Sequence, residues 1–259
     1  MNRVPPTELV DRIAVVTGSS RGIGRAIALE LASAGAAVLV HARSARKAAE
    51  AVAEEIRSAG GLAEVVMADL ADPAEQQRLV DRAWQWRGGP HIWINNAGVD
   101  ILTGAQAAQS FDENLQSLLR VDVTATIRLS RLVGRKMKDA GGGVILNIGW
   151  DGAERGMAGD SGQLFAASKG AVMAFSRSLA QSLAPEVRVN CLAPGWIHTA
   201  WAEQASQYWQ DRARSESLLN RWGTPDDIAR VARFLVSPAA QFINAQTINV
   251  NGGFGKAES

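Results

Sequence analysis

At 259 residues with 47% hydrophobic content and a formal net charge of +1, the chain is long enough to bury one large core. Its overall charge gives no reason to expect nucleic acid or an anionic membrane as partner. No apolar run approaches the roughly 20 residues that span a bilayer, and residues 1–12 carry Pro5, Pro6, Glu8 and Asp11 where a secretion signal needs an apolar segment, so a cytoplasmic protein with small-molecule partners is expected. The single cysteine, Cys191, excludes an internal disulfide, and the sequence holds no clustered metal-ligand pattern.

The predicted elements form one alternating series. A strand at 13–17 leads to a helix over 22–34 that ends at Ser33-Ala34-Gly35, and a strand at 37–41 leads to a helix over 45–59 that ends at Ser58-Ala59-Gly60-Gly61. The third strand, at 62–68, is followed by Asp72-Pro73, a cap with proline at the first helical position. Further strands fall at 92–95, at 144–148 after the tight connection Gly141-Gly142-Gly143, at 187–192 and at 247–250. The apolar residues of 115–137 and 166–183 are too many for one buried face, which fits helices covered on two sides. The polar, tryptophan-containing stretch 199–223 is the one irregular region and reads as a substrate-loop insertion. No repeat or linker interrupts the series, so a single α/β domain over 1–259 is expected. Its core is a doubly wound parallel sheet of about seven strands with helices on both faces.

Directly after the first strand comes Thr17-Gly18-Ser19-Ser20-Arg21-Gly22-Ile23-Gly24. Glycines at 18, 22 and 24 permit a tight strand-to-helix turn and a close approach of backbone to a pyrophosphate, which the free N–H groups of the helix start then meet. The position between a strand and a helix lifts the motif above chance and makes the domain a Rossmann-type dinucleotide binder. At the end of the second strand stands His41-Ala42-Arg43-Ser44, with no carboxylate for a ribose 2′-hydroxyl, while Arg43 and Arg21 suit a 2′-phosphate. NADP(H) is therefore expected in preference to NAD(H).

With that loop in place, the chain resembles the short-chain dehydrogenase/reductase family nearly end to end. Thr17 to Gly24 is similar to the family's glycine motif, Asp69-Leu70 to its adenine-binding pair, and Asn95-Asn96-Ala97-Gly98 to its fourth-strand signature. Pro194-Gly195-Trp196-Ile197-His198-Thr199 resembles the segment that holds the nicotinamide carboxamide. The C-terminal signature is matched by Arg221-Trp222-Gly223-Thr224-Pro225-Asp226-Asp227-Ile228-Ala229 and Val250-Asn251-Gly252-Gly253. The resemblance implies a tyrosine as proton donor, a lysine four residues later on the ribose, a serine orienting the carbonyl and an asparagine supporting a water relay. It also implies a homo-oligomer, dimer or tetramer, paired through the helices that carry Asp122 and Lys169 and through the C-terminal region.

Three of those four positions depart from the pattern. Lys169 is present, but Phe165 stands four residues before it and cannot donate a proton. Either Trp150 or Asp151 takes the serine's place, and Asp122 takes the asparagine's. Among possible replacements, Asp151 comes first: beside Trp150, a partly desolvated carboxylic acid would hold a proton near neutrality. His198, Asp122, Asp160 and Ser161 are further candidates. Their plainer readings are a turn cap for Asp151, an exposed loop residue for His198, a partner of backbone or of Lys169 for Asp122, and a helix cap for Asp160-Ser161. Trp150, Phe165, Trp196 and Trp201 are expected to wall an apolar substrate pocket, with Trp209 in a core or subunit contact and Tyr208, the only tyrosine, able to close over the site.

The expected function is thus an NADP(H)-dependent oxidoreductase with a non-standard active site, acting on an apolar carbonyl or an activated C=C bond. The alternatives are a non-redox cyclisation, elimination or isomerisation on the same scaffold, and an inactive protein that binds NADP(H).

Overall fold

The computed structural model describes residues 8–255. Seven parallel strands, β1 (Ile13–Val16), β2 (Ala37–Ala42), β3 (Ala63–Met67), β4 (Ile92–Asn95), β5 (Gly143–Ile148), β6 (Val187–Pro194) and β7 (Thr247–Val250), form one sheet in the order β3-β2-β1-β4-β5-β6-β7. The helices are α1 (Gly22–Ser33), α2 (Arg46–Ser58), α3 (Pro73–Gln85), α4 (Phe111–Leu118), α5 (Thr126–Asp139), α6 (Gly152–Arg155), α7 (Asp160–Leu183), α8 (Ala200–Gln204), α9 (Gln207–Ser215) and α10 (Pro225–Val236). Every strand lies where the sequence places one. The proposed stop at Gly35 is made with φ of 98°, and Asp72 caps α3 by accepting from the Ala74 N–H at 2.8 Å, a contact worth about 1 kcal/mol.

Strand alternation divides the core in two. Ala14, Val16, Val38, Val40, Ile92 and Ile94 face α1, α2 and α10, whereas Val15, Leu39, Trp93 and Ile145 face α3, α5 and α7. Both faces are dry, so the strands read as continuous apolar runs. A few polar side chains inside are mutually satisfied. The Trp93 indole N–H donates to Asn95 Oδ1 at 2.8 Å, the Asn95 amide donates to Ser130 and Asn147, and the Asn147 amide donates to Ser176 at 2.9 Å. This chain ties β4 and β5 to α5 and α7.

Strand order reverses between β1 and β4, and the crevice outside the carboxyl ends of these two strands is where such sheets take ligands. Between α4 and α5 the helix widens to a π-turn over Leu119–Ala125, which contains Asp122. Such turns mark functional positions in many helices. The stretch 199–223 is more regular than its composition suggests, because α8 and α9 form within it. Trp196, Trp201, Trp209 and Trp222 supply their packing, with ring centroids 5.7–6.0 Å apart, over the buried Ala202 and Ala213.

Candidate active site

The glycine loop closes the β1 end of the crevice. Gly18 has φ of 64°, and a Cβ there would lie 2.8 Å from the Ala97 Cα, so only glycine fits between β1 and the β4 loop. The Thr17 hydroxyl accepts from the Asn96 and Ala97 N–H groups, both at 3.0 Å, and the Asn96 amide donates to the Thr17 and Gly18 carbonyls. Thr199 approaches from the other side, its methyl 4.0 Å from where a Gly22 Cβ would be. Gly18, Gly22, Gly24, Asn96, Ala97 and Thr199 are thereby brought together.

The residues fit a dinucleotide on two counts. No side chain caps the start of α1, which leaves its N–H groups for an anion. Ser44, Arg21 and Arg43 are exposed, and among the described residues neither arginine is in an ion pair. Asp69 follows β3 and accepts from the Ala71 N–H at 2.9 Å, next to the buried Leu70.

His41 has a role that its motif did not suggest. Its Nδ1 accepts from the Gly18 N–H at 3.0 Å, and its Nε2 lies 3.0 Å from the Ala68 carbonyl, to which it must donate. The His41 amide donates to Ser19 Oγ, which itself donates to the Val16 carbonyl. These bonds require one neutral tautomer, and burial pushes the imidazole down to about 4. A polar residue within the apolar run of β2 was the signal available in the sequence, but its partners come from the segments just after β1 and β3.

At the β5 end, α7 presents Phe165 and Lys169 one turn apart on one face. The Lys169 ammonium pairs with Asp122 Oδ2 at 2.8 Å, with the Asp122 side chain 1% exposed, and Asp122 Oδ1 accepts from the Val99 N–H at 2.8 Å. Asp122 is therefore the buried partner of Lys169 and of backbone. The Phe165 ring packs against the cluster of Ile101, Leu118 and Leu164, and the Trp150 ring meets it edge-on at 6.2 Å between centroids. Trp150 lies over Gly152, where a Cβ would fall 2.3 Å from the indole. Both aromatic rings are half-buried. Of the two residues after β5, Trp150 is the one that faces Phe165.

Asp151 points elsewhere. Its Oδ2 accepts from Arg155 at 3.0 Å and from the Asn251 amide at 2.8 Å, and the Arg155 guanidinium stacks 3.6 Å over the Phe254 ring. This carboxylate is buried, but as an ion-paired acceptor and not as the free acid expected. Arg155, Asn251 and Phe254 were not singled out in the sequence, because they meet only in the fold. His198 is exposed, its ring edge-on to Trp222, and Asp160 lies in the first turn of α7. Trp196 and Trp201 spend ring surface on each other, and the Trp196 N–H donates to Glu216 at 2.8 Å. Pro194 ends β6, the Gly195 N–H after it donates to the Val250 carbonyl, and Ile197 bridges to Gly223. Tyr208 stays exposed.

A doubly wound sheet with a glycine loop at its switch point defines a nicotinamide-dinucleotide type of domain. Residues 18–255 match the family described as Enoyl-(Acyl carrier protein) reductase. A short-chain type dehydrogenase/reductase from Picea abies is 36% identical over 250 residues, covering 93% of this chain and 92% of that protein. Among solved structures, a 7α-hydroxysteroid dehydrogenase complexed with NADH and 7-oxoglycochenodeoxycholic acid superposes with a TM-score of 0.87 at 32% identity, covering 99% of each chain. A short-chain dehydrogenase from Burkholderia cenocepacia J2315 in complex with NADP gives 0.85 at 34% identity, covering 95% of this chain and 98% of the other. The chain belongs to the short-chain dehydrogenase/reductase family, and is an oxidoreductase of that family with an NAD(P)-binding fold.

Proposed function

We propose that the protein is an NADP(H)-dependent oxidoreductase whose proton-transfer apparatus is rebuilt, acting on an apolar carbonyl or an activated C=C bond. The observation that carries this reading is the Trp150–Phe165 contact. It puts two aromatic rings without a hydroxyl where the family resemblance implies a serine and a tyrosine, one helical turn from a retained lysine. A bound nicotinamide supplies or accepts hydride. Of the chain's own groups, Lys169 would hold the ribose and Asp122 fixes its ammonium, while Trp150, Phe165, Trp196 and Trp201 would exclude water around the substrate. Asp151 acts by holding the loop after β5 in place.

The cofactor preference is supported by Arg21, Arg43 and Ser44 and by the lack of a carboxylate at the end of β2. Ser20 in the loop, Ile23 in the first turn of α1, Ala42 at the end of β2 and Gly98 after β4 complete the proposed lining. The protein is further taken as a cytoplasmic homo-oligomer. Among the described residues no helix is long and apolar enough to cross a membrane.

The test combines binding with chemistry. NADPH at a hundredfold excess over its Kd should stabilise the fold by about 2.7 kcal/mol, read as a rise in Tm, and NADH at the same concentration by less. Phe165→Tyr restores a phenol next to Lys169 and should raise ketone reduction by about 10²-fold. An unchanged ketone rate in a variant that binds NADPH normally would show that the missing phenol does not limit the reaction.

A further inference from the structure

We infer that the electrophile this site accepts is already positively charged: an iminium ion flanked by apolar or aromatic groups. The inference rests on the oxidoreductase reading and, at the same site, goes beyond its neutral carbonyl and C=C substrates to a charged C=N bond. A neutral carbonyl needs a proton at oxygen as hydride reaches carbon, and the group that would supply it is replaced by Phe165. An iminium has no such need. Its carbon gains hydride from the reduced nicotinamide dinucleotide, the C=N π pair returns to nitrogen as a lone pair, and a neutral amine leaves with no proton gained or lost. The dinucleotide is oxidised and the iminium reduced, so atoms and electrons balance.

The electrostatics of the site agree with a cationic guest. Two half-buried rings, Trp150 and Phe165, meet edge-on at 6.2 Å, and aromatic faces attract cations through their quadrupole. The resemblance implies a neutral asparagine where this chain has Asp122, so the ammonium of Lys169 would otherwise stand uncompensated. Here it is tied to that buried carboxylate at 2.8 Å. Arg155, on the helix after Trp150, is likewise tied to Asp151, whose side chain is 6% exposed. The cation one helical turn from Phe165 is thus neutralised by its own buried anion, as is Arg155 further along the loop, and the field that would repel a positive substrate is reduced. Loss of the proton donor, gain of a carboxylate and gain of an indole face are three changes with one chemical consequence.

The probes are N-methyl-3,4-dihydroisoquinolinium, whose charge is permanent, and the neutral ketone 1-tetralone of similar shape. With NADPH, the purified protein should reduce the iminium at a kcat/KM at least 100-fold above the ketone, after subtraction of the protein-free rate. A second readout needs no turnover. Tryptophan fluorescence should report N,N-dimethyl-tetrahydroisoquinolinium binding at least tenfold tighter than its uncharged carbon isostere 2,2-dimethyltetralin. Asp122→Asn keeps an oxygen for the Val99 N–H but frees the charge of Lys169, and should erase that tenfold preference. Equal binding of the two isosteres, or no iminium reduction above the protein-free rate, overturns the inference whatever the ketone does. Failure of NADPH to bind overturns the oxidoreductase reading beneath it.

Discussion

At the scale of single residues, His41 decides more than its place in a strand suggests. It accepts from Gly18 and donates to Ala68, so protonating Nδ1 would set one N–H against another at the base of the dinucleotide loop. Because burial holds it at about 4 against an ordinary 6.5, the unfolded chain takes up the proton first. Its stabilisation is therefore complete above 6.5 and shrinks as pH falls toward 4, a loss of about 2 kcal/mol by pH 5. His91, lowered by burial and by Arg12, acts in the same direction. Asp227, pulled down to about 2 chiefly by Arg221, loses its contribution only below the usual carboxylate range, outside this window. Urea midpoints at pH 7 and pH 5 should differ less in His41→Gln than in the parent, and the variant should bind NADPH more weakly at pH 7. Equal pH slopes in the two proteins would remove His41 as the source.

At the scale of elements, the C-terminal segment works as a strap. Ser217 pairs with Phe254, the Leu218 and Leu219 N–H groups donate to the Gly253 and Gly252 carbonyls, and Asn251 and Phe254 reach Asp151 and Arg155. The loop after β5, the end of β7 and the stretch after α9 are thereby joined around one carboxylate. Asp151→Asn should raise KM several-fold and speed proteolysis within 199–223, with kcat within about threefold of the parent and NADPH affinity unchanged. A kcat loss in the range of 10²–10⁴ at constant KM would instead mark Asp151 as an acid or base. The difference between the two readings shows where sequence stops being informative. Strands, the Asp72 cap and the glycine loop follow from periods and spacings within about 15 residues, and they are where the sequence puts them. Asp151 meets Asn251 across 100 positions, a pairing no local pattern encodes. Asp122 was readable as the partner of Lys169 because motif positions on two helices pointed to one place. The choice between Trp150 and Asp151 required the loop itself, where Gly152 lets the indole fold back toward Phe165.

At the scale of the molecule, the strap and its surroundings leave apolar surface uncovered. Leu218, Leu219 and Phe254 are exposed along one connected stretch, and Phe234 and Phe242 are exposed at and beyond the end of α10, Phe242 completely. Scattered exposed apolar residues are ordinary, but a cluster of large ones usually marks a contact surface. With a chain mass of 27.5 kDa, light scattering at micromolar concentration should give two or four times that value, and a monomer would refute the assembly. If the copies meet over Leu218 and Phe254, assembly also braces the strap, and through it the stretch 199–223. Leu218→Lys with Phe242→Lys should then dissociate the oligomer and raise KM together, because the strap loses its outer support. Dilution of the parent protein through its association range should reproduce the same rise in KM without any substitution. A KM that stays constant while the mass falls would show that the strap holds its shape within one chain.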